Sequence, residues 1–393
     1  MNQIPSAESG APEAAVAALA PVSSPRAMTP EEDARFMNLA LALGRRGLGN
    51  TWPNPAVGAV IVKNGIIVGR GWTQSGGRPH AEVMALKRAG KAAEGATLYV
   101  TLEPCSHQGK SPPCADAIIR ARIARVVSSM EDPNPEVAGQ GHRRLIERKI
   151  AVEVGLGAEE ARHAHAGHVR RITDGRPHVL LKLAISADGK VASDGRRPVA
   201  ITGDAARERV HLMRAAHDAI MVGIGTVLAD NPALTCRLPG MYERSPVRVL
   251  LDSQLRVPLA SHPIATAGET PTWVFTSGTA SAMAGQILTE RGVRVFRVST
   301  QDGRLDLAEV LKVLGGEGIT RLMVEGGPTV ASSFVDADLV DEAALFHSEK
   351  VIGDGGIDAL DGLPLSALTQ SARLRNVGSD MAGADRVDFY ERA

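Results

Sequence analysis

Apolar residues recur from residue 30 onward at spacings that predict alternating helices and strands. In residues 31–44, the apolar positions Phe36, Leu39, Ala40 and Leu43 fall on one face of a helix. Further apolar runs and helical patterns predict strands at 56–62, 66–71, 97–101 and 125–130 and helices at 80–90 and 113–122. Strands that alternate with helices in this way are typical of a layered α/β sandwich.

A second alternating series begins after Pro177. Its apolar runs predict strands at 179–185, 219–222, 247–251, 273–276, 293–298 and 322–324. Helical patterns separate several of these strands and predict helices at 204–216, 305–314 and 328–335. The sequence therefore predicts a second α/β domain with a core of its own.

Two stretches of the chain lack such periods. Residues 1–29 are rich in Ala, Pro, Ser and Glu and are predicted to form a flexible tail. Residues 155–177 are rich in Gly, Ala, His and Arg, and we place the domain junction there. The cluster His163, His165 and His168 could bind adventitious metal, but a solvated linker is the favoured interpretation, and no site is assigned to it. The predicted organisation is a tail at 1–29, a first domain at 30–154, a junction at 155–177 and a second domain at 178–393.

The composition narrows the class of partner. The 393 residues include 44 Lys+Arg and 44 Asp+Glu, so the zero net charge gives no electrostatic reason to expect nucleic acid or an anionic membrane as a partner. No run of about 18 apolar residues occurs, and the apolar stretch 14–22 follows Glu8 and Glu13, where a signal peptide would carry positive charge. We expect a cytoplasmic protein with a small-molecule substrate. Three cysteines are too few for a disulfide framework, so their positions matter more than their number.

A possible metal site stands in the first half of the chain. His80 is followed two residues later by Glu82, and Cys105 and Cys114 are nine positions apart. Three such protein ligands leave zinc an open fourth position, where the ion lowers the pKa of bound water to about 7 and a nearby Glu can move the proton. We predict His80, Cys105 and Cys114 as zinc ligands and Glu82 as the catalytic residue. For any one of these residues taken alone, a structural role is the more common one, with each cysteine as a small buried hydrophobic residue and His80 as a polar residue at a helix start.

The residues around this constellation resemble those of the cytidine-deaminase superfamily. The resemblance lies in the segments Pro79-His80-Ala81-Glu82, Thr101-Leu102-Glu103-Pro104-Cys105-Ser106-His107 and Pro112-Pro113-Cys114. Eight residues between the cysteines, together with Asn54-Pro55-Ala56-Val57-Gly58 and Asp132-Pro133-Asn134-Pro135, are similar to the deaminase of riboflavin biosynthesis. This resemblance implies a diaminopyrimidinone substrate that carries a ribosyl 5-phosphate and whose ring amino group is hydrolysed to a carbonyl with release of ammonia.

The same resemblance implies a set of substrate contacts in the first domain, namely Asn54, His107, Lys110, Asp132 and Asn134, with Lys110 as the natural partner of the phosphate. The Asn and Asp residues could instead serve as turn formers, and Lys110 as a solvated loop charge. One departure is Thr73, which stands where the family often has a His that serves the substrate phosphate. Phosphate recognition is therefore expected to be weaker or rearranged.

Three segments stand out in the second domain, each at the end of a predicted strand: residues 182–190, 223–232 and 324–328. The turn Gly326-Gly327 precedes a predicted helix, whose free N–H groups and positive dipole end suit a phosphate, although such turns are also common for steric reasons. The stretch Gly223-Ile224-Gly225-Thr226 does not complete the dinucleotide fingerprint, so no Rossmann fold is inferred.

These segments resemble the reductase of the riboflavin pathway, whose domain is similar to dihydrofolate reductase. The resemblance covers nearly all of residues 178–390, and the order of the two domains matches the bacterial bifunctional deaminase-reductases. It implies a cytidine-deaminase-like α/β/α sandwich followed by a dihydrofolate-reductase-like α/β domain. It also implies NADPH as the cofactor that reduces the ribosyl group to ribityl after the sugar ring opens.

The resemblance implies two sets of site residues in the second domain. For the cofactor they are Ala184, Thr202, Asp230, Gly326 and Gly327. For the substrate they are Lys182, Arg214, Asp230, Leu234, Arg237 and Glu325, of which the two arginines suit its phosphate. Asp230 could instead cap a turn, and Glu325 could hold a strand end. The segment Pro198-Val199-Ala200 departs from the family pattern, which has Ser, a basic or polar residue, and Trp.

Three hypotheses follow. The first is a zinc- and NADPH-dependent bifunctional enzyme that deaminates 2,5-diamino-6-(5-phosphoribosylamino)pyrimidin-4-one and then reduces its ribosyl side chain. The second retains the deaminase but makes the second domain a non-catalytic binding module. The third is a ligand-binding protein with a purely structural zinc ion, which would require a closed sphere of four protein ligands. We also expect the chain to form homo-oligomers.

Overall fold

The computed structural model describes residues 28–109, 111–135, 137–197 and 199–393, and it contains two α/β domains that follow one another along the chain. Nearly all of the predicted tail lies outside the described residues. No helix in the part of the chain that is described has the length and apolar character needed to cross a membrane.

The first domain alternates strands and helices as the sequence predicted. Its elements are α1 (Pro30–Arg45), β1 (Gly58–Lys63), β2 (Ile66–Trp72), α2 (Ala81–Ala89), β3 (Thr97–Val100), α3 (Cys114–Arg120), β4 (Arg125–Ser128), α4 (Gln140–Glu147), β5 (Ala151–Val154) and α5 (Ala158–Ala164). Helix α1 begins with a capping box, in which Thr29 and Glu32 each accept a hydrogen bond from the other's backbone N–H. The sequence did not predict α4, β5 or α5.

Five strands form the sheet of the first domain in the order β2-β1-β3-β4-β5. Strand β1 pairs antiparallel with β2 and β3, whereas β3, β4 and β5 run parallel. Both faces of β1 are buried: Ala59 and Ile61 pack with residues of α2 and α3, and Val60 and Val62 pack with residues of α1. This is the expected α/β/α sandwich.

The second domain begins at the junction and is larger. Its elements are α6 (Ala166–Asp174), β6 (His178–Ile185), β7 (Lys190–Ala192), α7 (Asp204–Ala215), β8 (Ala219–Gly223), α8 (Ile224–Asp230), β9 (Val247–Leu251), α9 (His262–Ala265), β10 (Thr272–Ser277), α10 (Ala282–Glu290), β11 (Arg294–Val298), β12 (Thr300–Gln301), β13 (Arg304–Leu305), α11 (Leu307–Gly316), β14 (Arg321–Val324), α12 (Pro328–Asp336), β15 (Glu342–His347), β16 (Ile357–Asp358), α13 (Ser366–Thr369), β17 (Leu374–Ala382) and β18 (Asp385–Arg392). All six predicted strands and all three predicted helices of this half are present.

Nine strands form the main sheet of the second domain, in the order β11-β10-β9-β8-β14-β6-β15-β18-β17. The strands from β11 to β15 run parallel, and β18 and β17 close one end as antiparallel strands. Because neighbouring parallel strands end at one edge, the carboxyl ends of β9, β8, β14 and β6 lie side by side. Helices cover both faces of this sheet.

The predicted junction is helical rather than a loose connection. Helix α5 contributes Ala161 to the core of the first domain. On α6, Arg171 donates to the carbonyl of Gly315 at 2.8 Å in the second domain. Between the two helices, His165 is buried and its Nε2 lies 3.1 Å from the hydroxyl of Thr101. The interpretation of this histidine as part of a solvated linker is therefore wrong, because tertiary packing orders the segment.

The two domains contact each other directly. Trp52 of the first domain packs edge-on against Trp273 of the second, with ring centroids 6.4 Å apart, and it touches the second domain's core. Arg244 donates to the carbonyls of Leu48 at 2.5 Å and Ala215 at 3.1 Å, which joins the segment before Trp52 to the end of α7. The domains therefore share a packed interface that includes an aromatic pair.

Candidate active site

The predicted metal ligands converge at one end of the first sheet. His80 is the N-cap of α2, Cys105 follows β3, and Cys114 opens α3. The Nδ1 atom of His80 lies 3.3 Å from the Cys114 sulfur and 3.7 Å from the Cys105 sulfur, and all three ligand atoms lie within 4.8 Å of one another. The spacing of the motif therefore brings these three side chains together in the fold.

The donor set suits a zinc ion. One imidazole nitrogen and two sulfurs are ligands that zinc prefers, and the described residues offer this group no fourth His, Cys, Asp or Glu ligand. An open coordination position is typical of catalytic rather than structural zinc sites. This observation disfavours the hypothesis of a purely structural zinc ion.

The protonation of the two thiols is unequal. Cys105 accepts a hydrogen bond from Cys114, which together with His80 lowers the pKa of the Cys105 thiol to about 4. The same hydrogen bond and burial raise the pKa of Cys114. The backbone N–H of Cys114 also donates to the Cys105 sulfur at 3.3 Å. A bound metal ion would favour the thiolate form of both cysteines.

Glu82 lies in the first turn of α2, next to this trio. Its side chain is buried, and burial raises its pKa even though the nearby His80 acts in the opposite direction. A buried carboxyl without an arginine or lysine partner in the described chain is unusual unless it takes part in proton transfer. The geometry is thus suited to a general acid and base beside an open metal position.

A buried carboxylate organises the loop on the other side of the site. Glu103 accepts hydrogen bonds from the backbone N–H groups of Asp132 at 3.1 Å, Gly139 at 2.9 Å, Gly141 at 2.7 Å and His142 at 3.3 Å. These bonds fix the segment that carries two predicted substrate contacts. In the sequence Glu103 stands out only as part of a motif, and its role as an acceptor for these backbone N–H groups was not predicted.

The two predicted contacts in that segment have different surroundings. Asp132 accepts a hydrogen bond from the Asn134 backbone at 2.9 Å, as in the alternative turn-forming role. Its other oxygen lies 3.6 Å from Nε2 of His168 on α6. Burial alone would raise the pKa of Asp132, but His168 and the Asn134 N–H lower it, so the carboxylate is held in its charged form.

The other predicted contacts lie around the mouth of the site. Asn54 donates from its side-chain amide to the carbonyl of Gly77 at 2.8 Å, and His107 is exposed. Lys110 lies outside the described residues. Thr73, at the position of the departure noted in the sequence, is buried and accepts a hydrogen bond from the Val57 N–H at 3.0 Å, so its side chain faces the fold rather than solvent.

A second site lies at the carboxyl ends of the parallel strands of the second domain. A cavity of about 780 Å³ opens there, which is within the range of small-molecule and cofactor sites. Seven of the predicted residues line it, namely Lys182, Ala184, Thr202, Asp230, Glu325, Gly326 and Gly327. The Gly326-Gly327 turn leads into α12, and the Gly327 N–H donates to the Thr226 hydroxyl at 3.2 Å.

One wall of the cavity carries an ion-pair network centred on Glu325. Arg214 donates to the two carboxylate oxygens of Glu325 at 3.0 and 2.9 Å, and Nζ of Lys182 lies 3.5 Å from Oε1 of Glu325. Burial alone would raise the pKa of Glu325, but the charges of Arg214 and Lys182 lower it. The Arg214 guanidinium already donates hydrogen bonds to Glu325 and to the Thr235 carbonyl. This arginine is therefore less available to a ligand than the sequence suggested.

The remaining predicted residues do not line the cavity. Arg237 is exposed. The side chain of Leu234 is buried in the core of the second domain, so only its backbone could meet a substrate. The sequence did not single out Ser253 and Arg256, which follow β9 and line the cavity. The position of Ser253, two residues after a predicted strand, was a signal for it.

Comparison with known families gives two matches. The sequence model described as "Cytidine and deoxycytidylate deaminase zinc-binding region" matches residues 30–130, and the one described as "RibD C-terminal domain" matches residues 177–385. The first match covers the metal constellation, and the second covers the cavity.

Close relatives span both domains. The riboflavin biosynthesis protein RibD of Bacillus amyloliquefaciens is 46% identical over 318 residues, which cover 81% of this chain and 85% of that protein. The RibD of Escherichia coli is 42% identical and covers 89% of this chain and 98% of its own length. Among solved structures, RibD of Acinetobacter baumannii superposes with a TM-score of 0.82 at 33% identity over 92% of this chain and 99% of that chain.

Proposed function

Because the chain belongs to the RibD family of riboflavin biosynthesis proteins, we propose that its two domains act in turn on one phosphorylated pyrimidine. The chain is a bifunctional enzyme with a deaminase domain and a reductase domain. We assign deamination to residues 30–154 and reduction to residues 178–393. The substrate proposed is 2,5-diamino-6-(5-phosphoribosylamino)pyrimidin-4-one, which is hydrolysed first and whose ribosyl side chain is then reduced to ribityl.

The convergence of His80, Cys105 and Cys114 beside the buried Glu82 carries this proposal. A zinc ion held by these three ligands supplies, when bound, the Lewis acidity that lowers the pKa of water to about 7. Glu82 takes a proton from the attacking water and gives it to the neighbouring ring nitrogen. It then takes the remaining proton from the hydroxyl group that has added to the ring and delivers it to the departing amino group, so that water is consumed and ammonia leaves as the ring carbonyl forms.

Further residues of the first domain orient the substrate. Asp132, Asn134 and His107 contact the pyrimidine and its side chain, and Asn54 acts from the opposite wall. Lys110 binds the phosphate. These roles follow the family resemblance, and they are supported by the position of the 132–134 segment, which Glu103 holds beside the site.

The reductase cavity is proposed to bind NADPH, which supplies a hydride. Thr202, Ala184 and the Gly326-Gly327 turn contact the cofactor, because N–H groups at the start of α12 suit its phosphates. Lys182 and Glu325 contact the opened sugar, and Arg237 binds the substrate phosphate together with Arg214. Asp230 lies between the two ligands, and Leu234 contributes through its backbone.

We also propose self-association of the chain. Strand β17 lies at the edge of the nine-stranded sheet and exposes seven consecutive residues. Unpaired N–H and carbonyl groups on such an edge can pair with a second copy of the chain.

The first test is a paired assay on wild type and Glu82→Gln. With freshly prepared pyrimidine, we expect wild type to bind one zinc ion per chain, release ammonia and oxidise NADPH. In Glu82→Gln we expect ammonia release to fall about 100- to 10,000-fold, since the general acid and base is lost. Zinc content and NADPH oxidation with the deaminated compound should remain.

The matched control is Glu94→Gln, which removes a half-exposed carboxylate in the same domain. It should release ammonia as wild type does. Ammonia release without NADPH oxidation in wild type would support the alternative in which the second domain is a binding module. A protein with neither activity would contradict the proposed function, and an active Glu82→Gln would contradict the role of Glu82.

A further inference from the structure

Arg78 is a positively charged residue at the mouth of the deaminase site that neither the motifs nor the resemblance selected. It stands two positions before His80, in the loop that leads into α2, and its side chain is partly exposed. Arg78 therefore belongs to the loop that leads to the predicted ligand His80.

The guanidinium points across the mouth of the site to the loop between the two cysteines. One nitrogen donates a hydrogen bond to the hydroxyl of Ser111. The place that a Cβ on Gly109 would occupy is 3.5 Å from the other nitrogen and 3.9 Å from the His107 ring. Arg78 therefore lies beside Gly109, as does His107, which is a predicted substrate contact.

The loop that carries Arg78 is held in place from the opposite segment. The Asn54 side-chain amide donates to the Gly77 carbonyl at 2.8 Å, and the Gly76 N–H donates to the Asn50 carbonyl at 2.9 Å. The hydroxyl of Ser75 also donates to the Asn50 side chain at 3.0 Å. A guanidinium on a fixed loop loses less conformational entropy on binding than one on a free loop.

Arg78 lacks the partner that most partly buried arginines have. Among residues 28–109, 111–135, 137–197 and 199–393, no Asp or Glu oxygen lies within 4.0 Å of its guanidinium. The neutral Ser111 hydroxyl uses one of five N–H donors. The other donors remain for an anion, and the planar fork of Arg matches phosphate oxygens in pairs.

The other position expected to serve a phosphate cannot do so. The Thr73 side chain is buried and exchanges hydrogen bonds with the Val57 backbone, at 3.0 Å as acceptor and 3.5 Å as donor. It carries no charge and does not reach the mouth of the site. The phosphate partner that the family often has at this position must therefore come from elsewhere in the chain, in addition to Lys110.

We propose that Arg78 binds the 5-phosphate of the pyrimidine substrate in the deaminase site. This inference rests on the proposed function and extends it by naming a residue that distinguishes phosphorylated from unphosphorylated substrate. Ser111 and the Asn54–Gly77 contact hold the guanidinium in position. Since the phosphate is remote from the amino group that leaves, Arg78 contributes to binding in the ground state and in the transition state alike.

The test compares two substrates in ammonia release by the full-length enzyme: the phosphorylated pyrimidine and the same compound after removal of its phosphate. We expect Arg78→Gln to raise KM for the phosphorylated compound about 10- to 100-fold, with little change in kcat. With the dephosphorylated compound, the variant and wild type should have the same kcat/KM. Arg78→Lys, which keeps the charge but not the fork, should recover part of the loss.

Arg120→Gln is the matched control, because Arg120 is an exposed residue at the end of α3 and its loss changes the net charge equally. It should behave as wild type with both compounds. Zinc content and NADPH oxidation with the deaminated compound verify that each variant is folded. Equal losses of kcat/KM with both compounds, or an unchanged KM, would overturn the inference. A residue that only stabilises the loop would have the same effect whether or not the substrate carries a phosphate. A wild type that releases no ammonia would instead overturn the proposed function and the inference with it.

Discussion

At the scale of single residues, Glu103 links the metal motif to the substrate loop. It stands two positions before Cys105, and its carboxylate receives four backbone N–H groups from residues 132–142. Hydrogen bonds to a charged acceptor are stronger than those between neutral groups. A single buried side chain therefore fixes the distance between the proposed zinc ligand Cys105 and the proposed substrate contact Asp132.

We predict that Glu103→Gln destabilises this part of the molecule and impairs substrate binding. Glutamine keeps one acceptor oxygen, but its amide nitrogen cannot accept, so two backbone N–H groups of the loop lose their partner. The free energy of unfolding should fall by about 2–3 kcal/mol, and KM in ammonia release should rise because Asp132 is less well fixed. Urea unfolding and steady-state kinetics measure the two effects.

Glu147→Gln, at the exposed end of α4, serves as the control for Glu103. It removes the same charge from the same domain without removing a buried acceptor, so both quantities should stay near the wild-type values. If Glu103→Gln matched this control, the loop would be fixed by its own turns rather than by the carboxylate.

At the scale of elements, the two junction helices depend on a histidine that must stay neutral. Burial is the main reason that the pKa of His165 is lowered to about 3. The positive charges of His168 and Arg321 lower it as well, whereas a hydrogen bond to Thr101 and the charge of Asp132 act in the opposite direction. Protonation of His165 therefore destabilises the packed arrangement of α5 and α6.

The free energy of unfolding is therefore expected to fall as the pH is lowered. The unfolded state binds a proton at His165 below about pH 6.5, while the folded state binds one only near its lowered pKa of about 3. The stabilisation is fully present above pH 6.5 and is lost as the pH falls toward 3, by up to about 1.4 kcal/mol per pH unit. Urea unfolding between pH 7 and pH 4.5 should show a shallower dependence in His165→Gln than in wild type.

His163→Gln is the appropriate control, since His163 precedes His165 on the same segment but its side chain is more than half exposed. Its dependence on pH should follow that of wild type. Parallel curves for wild type and His165→Gln would show that other groups govern acid destabilisation. His217, whose burial lowers its pKa to about 4, would then be the next residue to replace.

The same elements show how far the sequence predicts the fold. Apolar runs predicted α1, β1 and the parallel strands of the second domain other than β15, and most of these elements bury most of their side chains. They did not predict β17, whose residues Arg375–Met381 are exposed and do not alternate, or the short helices α5 and α6, where Ala, His and Arg leave no apolar stripe. Pairing with β18 and packing against both domains define these elements instead.

The two sites also differ in how far the sequence predicts them. His80, Glu82, Cys105 and Cys114 lie within 35 positions, and their spacing carries the chemistry, so the sequence was enough to place them together. The reductase cavity draws on the ends of β6, β8, β9 and β14, which are far apart in sequence. Only the order of strands in the sheet shows that Ser253 lies at the same cavity as Glu325. The structure also shows that Leu234 points away from it.

At the scale of the whole molecule, the interface lets each domain stabilise the other. Trp52 comes from the loop after α1 and packs against Trp273 and the core of the second domain. Such an aromatic pair adds about 0.5–1.5 kcal/mol beyond the area it buries. The second domain therefore stabilises the segment that leads to Asn54 and the deaminase site.

We predict that Trp52→Ala uncouples the two activities during heating. In wild type, ammonia release and NADPH oxidation should be lost over the same temperature range because the domains stabilise each other. In Trp52→Ala the two inactivation curves should separate, with the deaminase lost first. Samples heated to a series of temperatures and assayed for both activities provide the measurement.

Trp72→Ala is the control for the interface. Trp72 packs under the guanidinium groups of Arg46 and Arg88 within the first domain, away from Trp273. Its loss should weaken the first domain while the contact between the domains is kept, so the two inactivation curves should shift together. Separate curves only in Trp52→Ala would identify the interface as the cause, whereas coincident curves in all three proteins would exclude it.

The position of β18 bears on how the protein forms during synthesis. This strand lies between β15 and β17, so residues 385–392 occupy an inner place in the sheet although they come after every other strand. The first domain has all its strands by residue 154 and can fold while translation continues. The second keeps an open, unpaired edge at β15 until residue 392 has left the ribosome. During that interval a nascent chain exposes an apolar strand edge, and it then depends on protection from aggregation.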